Sequence, residues 1–261
     1  MKKFFVLFTI LITTVLTACG STQSASNDVI VIGIDDEFAP MAFRDEQNKL
    51  VGFDIDLANE TAKRMGVTFK FKPIDWQNKR EEITSGSIDI IWNGLDINDE
   101  RREYMLFSEP YMLDSQVLLV KKGNRHAIRS EQDLAGKIAG VQAGAASETF
   151  INEDETLKRE IKTFNTYDKF WKAVDALKSG EIDVFICDEL VARYEMHKQP
   201  DQFELIPLLN GTVVEMGIGF RKDDVELRDR VQKAFDEVVK DGTAKKISEK
   251  WFQADLIHFR P

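Results

Sequence analysis

Ser85-Gly86-Ser87-Ile88-Asp89-Ile90-Ile91 recurs ninety-four residues later as Ser179-Gly180-Glu181-Ile182-Asp183-Val184-Phe185. Each copy follows a helical pattern and opens an apolar, β-branched run, so each reads as helix, glycine turn and buried strand. Each strand then runs into polar residues: Asn93, Asp96 and Arg101 after the first, Cys187 and Asp188 after the second. In open α/β sheets, ligands sit beyond the carboxyl ends of the strands. Two such units predict two α/β lobes with a cleft between them. One lobe offers a cation and the other an anion, which suits a zwitterion.

Outward from this echo, strands and helices alternate, as an α/β fold requires. Strands are expected at Val29–Gly33, Thr68–Pro73, Gln116–Lys121, Lys137–Gln142, Phe203–Leu208 and Met216–Phe220. Gln116–Lys121 also reads as a crossing between lobes, and Met216–Phe220 as the return. Helices are expected at Asp54–Met65, Lys79–Ser85, Tyr167–Ser179, Leu190–Lys198, Val225–Lys240 and Ala244–Trp251. A further helix opens at Asn98-Asp99-Glu100, where Asn98 suits the cap and the acids suit the first turn. The last two helices are expected to pack back on the first lobe.

At the N-terminus, Lys2 and Lys3 precede an apolar run from Phe4 to Leu16, followed by Leu16-Thr17-Ala18-Cys19-Gly20. This pattern reads as a secretory signal over residues 1–18. The run is shorter than the ~20 apolar residues of a spanning helix. The Leu-x-Ala-Cys ending resembles a bacterial lipobox, which implies cleavage before Cys19 and lipid on its thiol. Residues 19–27, rich in Ser, Thr, Gln and Ala, read as a flexible tether. Loss of residues 1–18 removes two lysines and no acid, moving the formal charge from −10 to −12. So acidic a chain lacks the basic footprint of a nucleic-acid binder. With Cys19 lipidated, only Cys187 remains and no internal disulfide is expected.

Several residues carry chemistry. Arg101 lies in the opening turn of a helix, where guanidinium and free amides together suit an anion; the plainer alternative is a surface Arg paired with Glu100 or Glu103. Asp188 suits an ammonium group, or else caps the helix that begins at Glu189. Gly144, Ala145 and Ala146 lie between strand and helix, where backbone amides suit an anion. Phe38 and Trp76 are aromatics in polar surroundings, placed to flank a small ligand or to pack in the core. Asp35, Asp36, Glu37 and Asp96 make the first lobe's edge acidic, or form a solvated cluster. No catalytic signature appears: His126, His197 and His258 are scattered without metal-ligand spacing, and there is no nucleophile elbow or phosphate loop. No cofactor, metal or catalytic residue is expected.

From Val29 to Phe252 the chain resembles the family 3 extracellular solute-binding proteins. The matching residues are Asp36-Glu37-Phe38-Ala39-Pro40 with Phe43, Val51-Gly52-Phe53-Asp54-Ile55-Asp56-Leu57, Asn93 through Arg101, and Phe107-Ser108-Glu109-Pro110-Tyr111. Gly180 through Val184, Asp188, Asp241-Gly242-Thr243 and Lys250-Trp251-Phe252 complete the set. The resemblance implies a type II periplasmic-binding-protein fold, with lobe 1 at 28–115 and 214–261, lobe 2 at 116–213, and two crossing strands. It implies an importer component that holds a free L-amino acid, works as a monomer with an ABC permease and ATPase, and stays outside the cytoplasm on its lipid anchor. By the same resemblance, Arg101 grips the α-carboxylate, Asp188 binds the α-amino group, and Phe38 and Trp76 flank the side chain. Asn93 and Gly94 give backbone contacts, and Asp35 meets basic side chains in some members. Asp96 stands where Ser or Thr is usual, and Ala145 and Ala146 replace hydroxyl residues. Asp35 and Asp96 together lead to the expectation of a cationic ligand side chain; glutamine or cystine is the alternative, and a dehydratase-type enzyme on the same fold is a further one.

Overall fold

The computed structural model describes residues 29–123, 128–208 and 213–258. Cys19, the signal, the tether and His126 lie outside them. The chain runs β1 (Val29–Ile34), β2 (Glu37–Phe38), β3 (Ala42–Arg44), β4 (Leu50–Val51), α1 (Phe53–Met65), β5 (Thr68–Pro73), α2 (Lys79–Thr84), β6 (Ile90–Ile91), α3 (Asp99–Tyr104), β7 (Met105–Phe107) and β8 (Met112–Lys121). It continues through β9 (Ile138–Gln142), α4 (Ala146–Glu153), α5 (Glu155–Glu160), β10 (Thr163–Tyr167), α6 (Phe170–Ser179), β11 (Val184–Asp188), α7 (Glu189–Lys198), β12 (Phe203–Pro207), β13 (Val213–Met216), β14 (Gly219–Arg221), α8 (Val225–Lys240) and α9 (Thr243–Phe252).

One sheet has the order β5-β1-β6-β14-β7 and a second the order β10-β9-β11-β8-β12, with β13 paired to β8. These are the two α/β lobes, each with helices on both faces. On the first sheet, Ile32, Ile90 and Phe220 pack with residues of α1 and α8, while Ile88 and Ile91 pack with Ile83 of α2. On the second, Phe185 packs with Phe170 and Val174 of α6, while Val184 and Ile186 pack with Ile151 and Leu157 of α4 and α5. Burial on both faces explains why these strands read as apolar runs rather than alternating ones. Helices α8 and α9 pack on α1, as their amphipathic spacing predicts.

The echoed heptad does the same work in both lobes. Asp89 accepts a hydrogen bond from Val31 N (2.7 Å) and donates its own N–H to Val31 O (2.9 Å). Asp183 treats Ile138 identically, at 2.9 and 2.8 Å. The echoed isoleucines each lie over a glycine of the neighbouring central strand: Ile88 over Gly33, Ile182 over Gly140. A Cβ on either glycine would meet the isoleucine's Cδ1 at 2.5 Å. Each heptad thus fastens its strand in parallel beside a sheet neighbour, β6 on β1 and β11 on β9.

Two findings differ from the sequence reading. Tyr167 ends β10, paired with Gln142 of β9, and the helix begins only at Phe170; Thr163–Tyr167 alternates too weakly to show as a strand without that partner. The passage between lobes is an antiparallel ribbon, Met112–Ser115 on Val213–Met216. The return run Met216–Phe220 divides between this ribbon and β14 of the first sheet. The expected boundaries at 115/116 and 213/214 fall at the lobe 2 end of the ribbon.

Candidate functional site

A narrow cavity lies between the lobes. It is lined by Asp35, Phe38, Trp76, Asn93, Gly94, Asp96 and Arg101 from the first lobe, and by Gln142, Ala145, Ala146 and Asp188 from the second. Ten of the eleven ligand-binding residues expected from the sequence line it. Gly144, the eleventh, borders it through its carbonyl. Gln142 is a lining residue that the sequence reading missed.

Arg101 is 4% exposed, which removes the surface alternative. Asn98 caps α3 by accepting from Arg101 N at 2.8 Å, and this anchors the backbone beneath the guanidinium. The guanidinium donates to Asp96 O at 2.7 Å and, across the cleft, to Gly144 O at 3.2 Å. Its nearest carboxylate is Asp96, with Oδ2 3.9 Å away. Asp188 starts α7 but makes no side-chain cap bond; Asp114 Oδ1 instead takes Leu190 N at 3.4 Å. The Asp188 carboxylate is therefore released from capping and accepts from Gln116 Nε2.

Three acids act on one another: Asp96 and Asp114, which are buried, and Asp188, which is half-buried. Burial pushes Asp96 up to about 7, and Asp188 adds to this while Arg101 and Lys79 oppose it. Burial, then the charges of Asp188 and Asp96, raise Asp114 well above the carboxylate range. Burial raises Asp188, against the pull of Gln116 and Arg101. Asp96 Oδ1, Asn93 Oδ1, Asp114 Oδ2 and Gln116 Oε1 are buried without a partner among the described residues. So many acceptors in one place call for a donor-rich group, and an ammonium is the compact choice.

The anion-binding reading of the Gly144 loop changes in detail. Gly144 N–H is held by Glu148 Oε2 at 2.7 Å, and Ala145 N–H by Gln142 O at 3.2 Å. Helix α4 carries no side-chain cap, so an anion here meets its N-terminal amides from Ala146 onward. Gly144 O is shared by Arg101 and by Lys79, whose Nζ lies 2.7 Å away. Lys79 was missed from sequence because a lysine opening a helix is ordinarily solvated. Here burial, then the Arg101 charge, lower it to about 7.

Phe38 packs edge-on against Phe170 of the opposite lobe (6.2 Å), and Trp76 carries Lys79 Nζ over its ring at 5.3 Å. Both aromatics belong at once to the core and to the cavity wall. Gly94 donates its N–H to buried Asp54 at 2.7 Å. It adopts φ +56°, and a Cβ there would approach Phe38 at 3.1 Å. Asp35 is not the open carboxylate that the sequence led one to expect. Lys169 Nζ lies 2.8 Å from its Oδ1, and Gln142 Nε2 lies 3.0 Å from its Oδ2. The expectation of a cationic ligand side chain counted Asp35 as unpaired, and this pairing takes away half of its support. Cys187 is buried and free. No cluster able to hold a metal ion occurs among the described residues.

The profile of the bacterial extracellular solute-binding proteins, family 3, matches residues 30–254. The chain is 32% identical over 238 residues to the L-cystine-binding protein TcyJ of Escherichia coli, covering 87% of this chain and 84% of that protein. It is 30% identical over 262 residues to the arginine-binding extracellular protein ArtP of Bacillus subtilis, covering 98% and 100%. Among solved structures, an ABC uptake transporter substrate-binding protein from Streptococcus pneumoniae with bound histidine superposes with a TM-score of 0.85 at 36% identity. It covers 90% of this chain and 96% of that one.

Proposed function

The chain belongs to the bacterial extracellular solute-binding proteins of family 3, and from that premise we propose that it captures a free polar L-amino acid between its lobes for an ABC importer. The observation that carries this reading is the meeting, in one interlobe cavity, of the Arg101 guanidinium with the carboxylates of buried Asp96 and half-buried Asp188. Arg101 takes the α-carboxylate by exchanging backbone carbonyls for a charged, two-pronged partner. The α-ammonium sits among Asp96, Asp188 and Asn93 Oδ1, where it relieves the repulsion between the acids. Phe38 and Trp76 enclose the side chain. Each charge-assisted bond is worth about 1.5–3 kcal/mol, so three or four of them suit a micromolar complex at about −8 kcal/mol. Because the groups come from both lobes, the ligand favours the closed arrangement, the form that a permease would recognise. The protein acts as a monomer, held outside the cytoplasm by lipid on Cys19.

A thermal-shift screen of the twenty amino acids with ornithine and cystine, followed by calorimetry on the best ligand, tests the reading. Ligand raises the melting temperature by linkage. In a folded Arg101→Ala variant, checked by circular dichroism, affinity falls by about 2–5 kcal/mol. Near-normal affinity in that variant would remove Arg101 from the site.

A further inference from the structure

Asp35 follows β1 in the first lobe, lines the cavity, and is 1% exposed. Lys169 and Gln142 both reach it from the second lobe, one on each carboxylate oxygen. Lys169 stands just before α6 and also lies 3.3 Å from Glu37 Oε2. Burial opposes the lysine's charge, but Asp35 and Glu37 outweigh it and raise the ammonium above its usual value. The other charged residues that line the cavity have other partners: Arg101 donates to Asp96 O and Gly144 O, and Asp188 accepts from Gln116. Beside them the cavity has a polar corner at Asp35, whose carboxylate already has a cation.

We infer that Lys169 is a specificity-determining residue. As built-in counter-ion of Asp35, it holds the position that a basic ligand side chain would need, so the site selects an uncharged polar amino acid over lysine, arginine or ornithine. The inference rests on the amino-acid-binding reading above and names the substrate class of that same site. Its physical basis is that two ammonium groups cannot both approach one buried carboxylate without repelling each other. A neutral side chain meets no such conflict. It finds instead the Gln142 amide, which is fixed in orientation by its bond to Asp35 and can hydrogen-bond a polar ligand.

The test is the ratio of affinities for glutamine, cystine, arginine, lysine and ornithine, measured by calorimetry on the wild type, Lys169→Met, Lys169→Gln and Lys169→Arg. Circular dichroism confirms folding. The wild type is expected to bind a neutral amino acid best. In Lys169→Met and Lys169→Gln, the preference shifts at least tenfold toward the basic amino acids. Lys169→Arg, which keeps the charge, retains the wild-type ratio. Lys169 is partly exposed at the cleft, so at least one of the two neutral variants should fold. An unchanged ratio in a folded neutral variant would overturn the inference. So would a wild type that prefers arginine or lysine, or a neutral variant that loses all ligands alike, since Lys169 would then only brace the closed lobes. A wild type that binds no amino acid overturns the underlying function as well, which separates the two failures.

Discussion

Single residues in this cleft change meaning according to the partner they find. Arg101 and Lys79 both point a cation at Gly144 O across the lobes, and burial, then the Arg101 charge, lower the Lys79 ammonium to about 7, away from the 10.5 of a solvated lysine. That difference makes Lys79 a pH-dependent cost. In the unfolded chain the lysine titrates near 10.5, so between about 7 and 10.5 the unfolded state holds the extra proton and folding is favoured as pH rises. Replacement by Met removes this dependence. Urea denaturation at pH 7, 8 and 9 should show the wild type gaining on Lys79→Met by up to about 1.4 kcal/mol per pH unit. Parallel stability curves for the two proteins would mean that the lysine stays charged in the fold.

Among the elements, the recurring heptad is a fastening device. Its aspartate clamps the neighbouring strand's backbone from both sides, and its isoleucine fills the space that a glycine leaves on the central strand. Asp183, in the second lobe, is one place to probe it. Asp183→Ala leaves the N–H of Ile138 without its carboxylate partner and should destabilise the protein by about 1–2 kcal/mol. Chemical denaturation reads this directly, and an unchanged midpoint would show that water replaces the bond without loss. The same elements set the site: β11 ends at Asp188, while the residues after β6 carry Asn93, Asp96 and Arg101. Fastening the strands therefore also places the ligand groups.

For the whole molecule, the proposed tether decides where the binding act happens. On the proposed function, a lipid on Cys19 would keep the protein beside its permease, and the net negative chain would gain little from charge alone at an anionic membrane. Cys19→Ser should move the protein from the membrane fraction of expressing cells to the soluble fraction. Equal retention of both forms would dismiss the anchor.

The α/β class, the doubled lobe and the long helices were legible in the sequence through local signals: a glycine turn before an apolar strand, an asparagine cap, a helical stripe. Arg101 and Asp188 showed as charges beyond a strand's carboxyl end, whereas Asn93 and Gly94 were expected at the ligand only through the family resemblance. The ribbon at Met112–Ser115, strand β10 and the helix start at Phe170 needed their tertiary partners, because a short strand is defined by what it pairs with. The balance of charge in the cleft was decided by tertiary structure too. Lys169 lies 134 residues from Asp35, and Lys79 lies 65 residues from Gly144. No periodicity links such pairs. They exist only because two sheets face each other at one angle and separation, and that geometry determines which buried acid already has a cation and which is left for the ligand.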